Sequence, residues 1–557
     1  MLRVAGPETV SMTTRDGVRL DADLYRPADG GPYPVLLMRQ PYGRRIASTV
    51  VFAHPRWYAA QGYIIAIQDV RGTGSSEGTF RAFETEREDG ADAIAWAATL
   101  PGSTGRVGMY GFSYQGMTQL LALAGGAPAP PLPALGALAP VMVGWDIYGD
   151  WAYEGGALRL ADSIGWGIQM AAIRAGFEKD HEAVLALSRA ARALPLHDET
   201  PAFPDVLRRY RAYGHYTDWV ENDRHDAPYW RAIAPRAALA GQRMDVPMLH
   251  IGGWYDTMLM GTLDAFAAAR AASDQPQRLV VGPWPHLPWG RMSGGDMGPE
   301  ADAQIDRLQL RWFDGFLKGS GGGGALSTGL ELFDVGAKLW REFTVWPSET
   351  RTLYLGSEGL AAPTVTDGIL QETIGNASSD QVVHDPWRPV PSLGGHDAAP
   401  MGRQDRTALD ARADIACYTS TPLTDDLLLV GRVDLDLWVE TDAASFDLSA
   451  VLSEVTAEGR AIVLTQGYRR VAPGEALPLR ISLRAICATI AAGSALRLSL
   501  AGASFPAHPV NPGTGTRLIE TRAADCQVIT LSILSGADTP SRLILPIATS
   551  SPTRSEP

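Results

Sequence analysis

The sequence predicts an α/β protein in which a parallel-sheet domain is split by a helical insertion and followed by an all-β domain, and three contrasting stretches carry that reading. From residue 18 to about 143, short β-rich runs alternate with helical patterns, as βαβ units of a parallel sheet do. From about 144 to 240 the pattern is mostly helical and dense in aromatic residues, among them Trp145, Tyr148, Trp151, Tyr153 and Trp166. Beyond about 343, strand follows strand.

Taken in order, residues 34–38, 63–68 and 106–110 are apolar runs of buried-strand length, and 86–100 has the length and pattern of a crossover helix. The segment 69–78 is glycine-rich, but it lacks the Lys-Ser/Thr ending of a phosphate loop and carries Asp69 and Glu77. It is expected to be structural, with Arg71 paired to a carboxylate. The charged run 84–89 is expected to be a solvated helix start. After the insertion, 246–252 and 278–282 return as strands around a helix-like 257–269. Residues 312–318 lead into 319–324, whose glycine content predicts a flexible connection. In the last region 352–355, 427–439, 447–452, 461–467, 495–500 and 526–534 read as strands, with alternation that fits an antiparallel sandwich. The expected boundaries are 1–143 with 241–342 for the sheet domain, 144–240 for the insertion and 343–557 for the β domain.

With 557 residues, 45% hydrophobic and 20% charged, the chain has ample apolar content for several packed cores. The formal net charge of −14 argues against a nucleic-acid or anionic-membrane surface, leaving small molecules or peptides as ligands. Three widely spaced cysteines, Cys417, Cys487 and Cys526, without a CxxC indicate neither a disulfide framework nor a zinc cluster, and they read as buried strand thiols. The first sixteen residues lack the apolar stretch of a signal peptide, and no window has the run of about 18 apolar residues that a membrane span needs. A cytoplasmic protein is the expectation.

The chemistry centres on Gly111-Phe112-Ser113-Tyr114-Gln115-Gly116, where an apolar run ends on a serine and a helix-like stretch begins. This is the shape of a nucleophile elbow, except that a strict G-x-S-x-G would have glycine where Gln115 stands. A serine hydroxyl needs a base, itself oriented by a third group, and where the serine stands on such an elbow these follow along the chain in the order serine, acid, histidine. Of ten histidines, His286 lies in a loop just after the strand Leu279-Val280-Val281-Gly282. Asp256 follows the buried run ending Gly252-Gly253-Trp254-Tyr255, where it suits either the acid or a helix N-cap. The oxyanion of acyl transfer needs donors: the Tyr114 N–H comes with the elbow, and Tyr42, after the strand run 35–39, has a hydroxyl that can reach inward or simply pack in its Pro-Tyr-Gly turn.

Pro41-Tyr42, the segment 69–78, Gly108 to Gly116, Gly253-Trp254-Tyr255-Asp256 and Gly282-Pro283-Trp284-Pro285-His286 together resemble the CocE/NonD hydrolases, a group of cocaine-esterase-type, α-amino-acid ester hydrolase and X-Pro dipeptidyl-peptidase enzymes. The resemblance spans nearly the whole chain, and its elbow, G-x-S-Y-x-G, accommodates Gln115. It implies an α/β-hydrolase domain, an inserted helical cap and a C-terminal jelly roll. It also implies Ser113 as nucleophile, Asp256 as acid, His286 as base, and the Tyr42 hydroxyl and Tyr114 amide as oxyanion donors, with no metal or organic cofactor. Cap aromatics over the acyl group fall on Trp151 and Trp166.

Trp145, Tyr255 and Met258 are further candidates for an apolar acyl wall. The expected activity is hydrolysis of carboxylic esters, or activated amides, through an acyl-enzyme, on a small-molecule ester or short peptide-like substrate, in a chain free to form a homo-oligomer. One alternative is a peptidase or amino-ester hydrolase that needs a substrate α-amino group and a carboxylate to bind it, for which Asp146, Asp150, Glu154 and Asp162 are candidates. Another is an inactive scaffold whose jelly roll binds a ligand.

Overall fold

The computed structural model describes residues 1–45, 51–125, 134–287, 289, 294–319 and 328–548. Beyond Gly319, the predicted flexible connection lies outside them. A ten-stranded sheet runs in the spatial order Val4–Thr13, Arg19–Pro27, Ile64–Asp69, Tyr33–Gln40, Ser103–Phe112, Leu135–Val141, Met248–Tyr255, Gln277–Pro285, Gly329–Asp334 and Leu339–Phe343. Pairing is parallel from Ile64–Asp69 through Gly329–Asp334 and antiparallel at both ends.

Buried on both faces, the central strands are continuous apolar runs rather than alternating ones. In Tyr33–Gln40, Val35 and Leu37 pack with Ile94, Met117 and Leu120 of the helices Glu86–Ala98 and Tyr114–Leu123. Leu36 and Met38 face the other way, into the cluster holding Leu308, Trp312 and Phe313 of the helix Ile305–Leu317. Burying such a leucine or valine contributes about 1.5–3 kcal/mol.

Between Leu135–Val141 and Met248–Tyr255 the chain leaves the sheet for a helical excursion that includes Leu160–Phe177 and His181–Arg192. This cap is tied to the C-terminal part by backbone hydrogen bonds, Arg470 N–H to the Gly155 carbonyl at 2.8 Å and Leu160 N–H to the Ala507 carbonyl at 2.7 Å.

From Glu349–Gly356 to Arg542–Ala548 the chain is an all-β jelly-roll domain, antiparallel except where Gly368–Gln371 runs beside Ile415–Ser420. Leu427–Thr441 is long enough to pair with Leu479–Ile490, Ile529–Ser535 and Arg542–Ala548. The strand Leu479–Ile490 escapes sequence reading because residues 483–488 are buried on both faces, which erases the alternation.

Two local expectations are corrected. The run 84–89 is not a solvated helix start: Glu86 and Asp89 are buried, Glu86 pairing with Arg39 at 2.6 Å and accepting the Tyr114 hydroxyl at 2.9 Å, while Asp89 holds Arg71 at 2.7 Å. Charge patterning along one helix cannot show a partner 47 residues away. Cys417 and Cys487 are buried strand thiols, but Cys526, also buried, follows a short helical turn and precedes the strand Ile529–Ser535. Arg71 does pair with carboxylates, those of Asp16 and Asp89. Among the described residues no helix is long and apolar enough to cross a membrane.

Candidate active site

Ser113, Asp256 and His286 each follow the C-terminal end of a parallel strand, the edge at which α/β sites form. Ser113 sits between strand Ser103–Phe112 and helix Tyr114–Leu123 with φ 58° and ψ −127°. A non-glycine residue in that region costs about 1–3 kcal/mol and persists only where its surroundings fix it. Here its N–H donates to the Val141 carbonyl, and its carbonyl accepts from the Gly116 and Met117 N–H groups, all at 2.9 Å. A Cβ on Gly111 would run into the Gln115 side chain, and one on Gly116 into Val143. Glycine is therefore required at 111 and 116. Position 115 tolerates glutamine, whose Oε1 turns back to accept the Phe112 N–H at 3.3 Å.

His286 Nε2 lies 3.1 Å from Ser113 Oγ, and His286 Nδ1 lies 2.7 Å from Asp256 Oδ1. Asp256 is fully buried, and its Oδ2 has no hydrogen-bond partner among the described residues. Burial pulls the His286 pKa down, but the adjacent Asp256 carboxylate, by charge and hydrogen bond, and Asp162 beyond it raise it above the ordinary imidazole value. The His286 ring is therefore held by Asp256 at Nδ1, and its Nε2 faces Ser113 Oγ.

Tyr42 follows strand Tyr33–Gln40. Its N–H donates to Gln40 Oε1 at 2.9 Å, Gln40 Nε2 donates to Asp69 Oδ1 at 3.2 Å, and Asp69 Oδ1 also accepts the Arg44 N–H at 2.7 Å. The 69–78 segment thus does more than turn the chain, because Asp69 anchors the loop that presents Tyr42. Burial pushes the Tyr42 hydroxyl up to about 12, opposed by the neighbouring Trp166 and Ser113 side chains. It stays protonated and able to donate. Tyr114 opens its helix, so its N–H has no acceptor within that helix and points to the end where Ser113 stands.

A cavity of about 410 Å³ opens over Ser113 and His286, within the range of small-molecule sites. Tyr42, Trp151, Trp166 and Met258 line it, joined by Phe112, Gln169, Thr257 and Met401. Trp145 and Tyr255 do not line it; both are buried elsewhere in the core. Trp166 is backed by His215, ring centroids 4.0 Å apart, whose pKa burial pushes down to about 3. The aromatic wall is therefore uncharged.

Of the four candidate carboxylates, Asp162 alone lines this cavity. Asp146 pairs with His225 and Arg236, Asp150 accepts the Trp145 and Asp146 N–H groups, and Glu154 pairs with Arg159 and His396. Asp162, Trp166 and Gln169 are spaced i, i+4, i+7 on helix Leu160–Phe177, one face of a helix, a periodicity that marks all three as neighbours once Trp166 is placed. Glu154, His396 and Asp397 also converge closely enough to hold a metal ion. Arg159, 2.8 Å from Glu154 and 3.0 Å from Asp397, already supplies a cation to both carboxylates, which makes the cluster a buried ion-pair lattice.

A parallel sheet of this order, with a serine held in a strained strand-to-helix turn beneath a cap, defines a serine hydrolase of the α/β-hydrolase type, which cleaves esters or amides through an acyl-enzyme. Residues 16–288 match the X-Pro dipeptidyl-peptidase (S15) family, and 317–544 match the X-Pro dipeptidyl-peptidase C-terminal non-catalytic domain. The chain is 31% identical to the cocaine esterase of Rhodococcus sp. (strain MB1 Bresler), with 97% of this chain and 98% of that one aligned. In fold it matches an α-amino acid ester hydrolase (TM-score 0.78, 21% identity, 97% and 96% of the two chains). It likewise matches a CocE/NonD family hydrolase from Staphylococcus aureus (TM-score 0.69, 19% identity, 98% and 93%). The chain belongs to the CocE/NonD-type serine hydrolases of the S15 peptidase and esterase group.

Proposed function

We propose that this chain is a carboxylesterase whose nucleophile, base and acid are Ser113, His286 and Asp256. The observation that carries the reading is the unbroken chain from Ser113 Oγ through His286 to Asp256, with links of 3.1 and 2.7 Å. His286 Nε2 takes the Ser113 proton as Oγ attacks the ester carbonyl, and the oxyanion is held by the Tyr42 hydroxyl and the Tyr114 N–H. Collapse expels the alcohol, which takes the proton from His286 and leaves an acyl-Ser113. Water, deprotonated by His286, repeats the attack and frees the acid. Trp151, Trp166 and Met258 enclose the acyl group, and the relative that cleaves cocaine agrees with an ester substrate of this size.

A fluorophosphonate probe tests this directly. The label is expected on the peptide carrying Ser113; labelling elsewhere overturns the assignment of the nucleophile, and no labelling overturns the reading and leaves a ligand-binding scaffold. Replacing Tyr42 with phenylalanine removes one oxyanion donor and is expected to lower kcat about 100-fold or more, with little change in KM for the same aryl ester.

Asp162 favours a second reading, in which the substrate carries an ammonium group. Its side chain is open to the cavity that Ser113 lines, and among the described residues it has no hydrogen-bond or ion-pair partner. On this reading an aryl ester with an α-amino group outcompetes its des-amino analogue, and Asp162→Asn erases that preference by raising KM about tenfold for the amine alone. The variant also removes a charge that raises His286, so the acid limb of kcat/KM moves to lower pH. Equal rates for the two esters in the wild type exclude this reading and leave the simple esterase.

A further inference from the structure

We propose that Arg484 of the all-β domain positions Asp256, which makes that domain part of the catalytic apparatus. The proposal rests on the assignment of Asp256 as the acid. Arg484 lies on strand Leu479–Ile490 and is 4% exposed. Its Nη1 donates to the Asp256 carbonyl at 3.4 Å, and its Nη2 lies 3.5 Å from Glu154 Oε2 in the cap.

One guanidinium therefore links all three parts of the chain behind the acid. Glu154 is itself fixed, by Arg159 at 2.8 Å and His396 at 2.9 Å. Asp397, which completes the lattice, accepts from Arg159 at 3.0 Å and from Gln466 Nε2 at 3.0 Å, with His396 and His508 at 2.9 and 3.4 Å. Two guanidinium groups face two carboxylates, so Arg484 has a rigid, charge-balanced seat that is costly to disturb.

Asp256 needs such support. Among the described residues of its own domain, turn hydrogen bonds alone hold its backbone: its N–H donates to the Gly253 carbonyl at 3.0 Å, and its carbonyl accepts from the Leu259 N–H at 3.1 Å. Oδ1 is committed to His286, and the buried Oδ2 has no donor among the described residues. Burying a carboxylate with one oxygen left without a hydrogen bond is costly. The Arg484 cation, which interacts electrostatically with Asp256 as well as with Glu154 and Asp397, offsets that cost, and its hydrogen bond fixes the carbonyl from which the side-chain direction follows.

The test is a double-mutant cycle of Arg484→Met and Asp256→Asn, with Arg484→Lys beside it, read by kcat and KM on a neutral aryl ester, by the pH profile and by fluorophosphonate labelling rate. Arg484→Met is expected to lower kcat about 30-fold, leave KM within about threefold, and move the acid limb to lower pH as the lift of Asp256 on His286 weakens. Arg484→Lys, which keeps the charge, recovers part of the loss. In the Asp256→Asn background, Arg484→Met costs under about threefold, because the group through which it acts is gone.

An acid limb that stays put or rises, with only the melting temperature lowered, overturns the proposal. The full 30-fold loss persisting in the Asp256→Asn background overturns it as well. Should Arg484→Met fail to fold, Arg484→Lys carries the same cycle and pH profile. Asp256→Asn with undiminished kcat would instead overturn the assignment of the acid, and with it this proposal.

Discussion

Replacing Ser113 with alanine is expected to lower kcat for an aryl ester by about 10⁴-fold or more and to abolish fluorophosphonate labelling. The variant loses only Oγ. The Tyr42 hydroxyl and the Tyr114 N–H stay aimed at the carbonyl, so a residual rate above that of water persists. Backbone strain at 113 is unchanged, since alanine tolerates φ 58° no better than serine does, and the three backbone hydrogen bonds that hold the turn do not involve the side chain. The melting temperature should therefore stay within a few degrees of the parent's. A loss of activity accompanied by a collapse in melting temperature would assign Ser113 to the fold instead of the chemistry.

Asp256→Asn is the second large effect, a fall in kcat of about 10⁴-fold, the size expected when the group that orients the base loses its charge and the imidazole takes the wrong tautomer. An asparagine amide can donate to His286 Nδ1, which drives the ring proton onto Nε2. That nitrogen then faces Ser113 with a hydrogen and cannot accept one. The charge that raises His286 also disappears. With its pKa raised by Asp256, the imidazole of the parent is protonated, and inactive as a base, at and below a pH higher than ordinary histidine would give. In the variant the acid limb falls to lower pH. Stability should hold, because the buried, half-satisfied carboxylate gives way to a neutral group of the same shape. A pH profile that does not move on this substitution would remove Asp256 from the site.

Most of the parallel strands and the helices beside them were legible because buried strands of four to eight apolar residues and crossover helices leave different periods in the sequence, but Leu135–Val141 and Gly329–Asp334, also paired in parallel, were not. Ser113, Asp256 and His286 were legible because each stands directly after such a strand, so that order along the chain translates into one edge of the sheet. The antiparallel strands Val4–Thr13 and Leu339–Phe343 were not, being half-exposed and mixed in composition. Glu86 and Arg484 were not either, for a shared reason. Glu86 stands in a charged run that reads as a solvated helix start, Arg484 on a strand without alternation, and each is buried against a partner from a distant stretch: Arg39 for the first, Glu154 and the Asp256 carbonyl for the second. Pairing of this kind lies in three dimensions and leaves no period. Asp162 was an intermediate case, named from its charge but separable from Asp146, Asp150 and Glu154 only once the helix face bearing Trp166 was seen to border the cavity.

The last two strands of the sheet, Gly329–Asp334 and Leu339–Phe343, come after the helix Ile305–Leu317 and inside the stretch that matches the C-terminal non-catalytic domain. Gly329–Asp334 covers the open side of Gln277–Pro285, the strand that carries His286 at its tip. A chain ended where that match begins would bare the backbone N–H and C=O groups of a long, flat, apolar strand, a template for pairing with other chains. The β domain therefore cannot be removed as a module along the homology boundary. Truncation there trades a covered strand for one open to self-association, and it does so at the strand that carries His286.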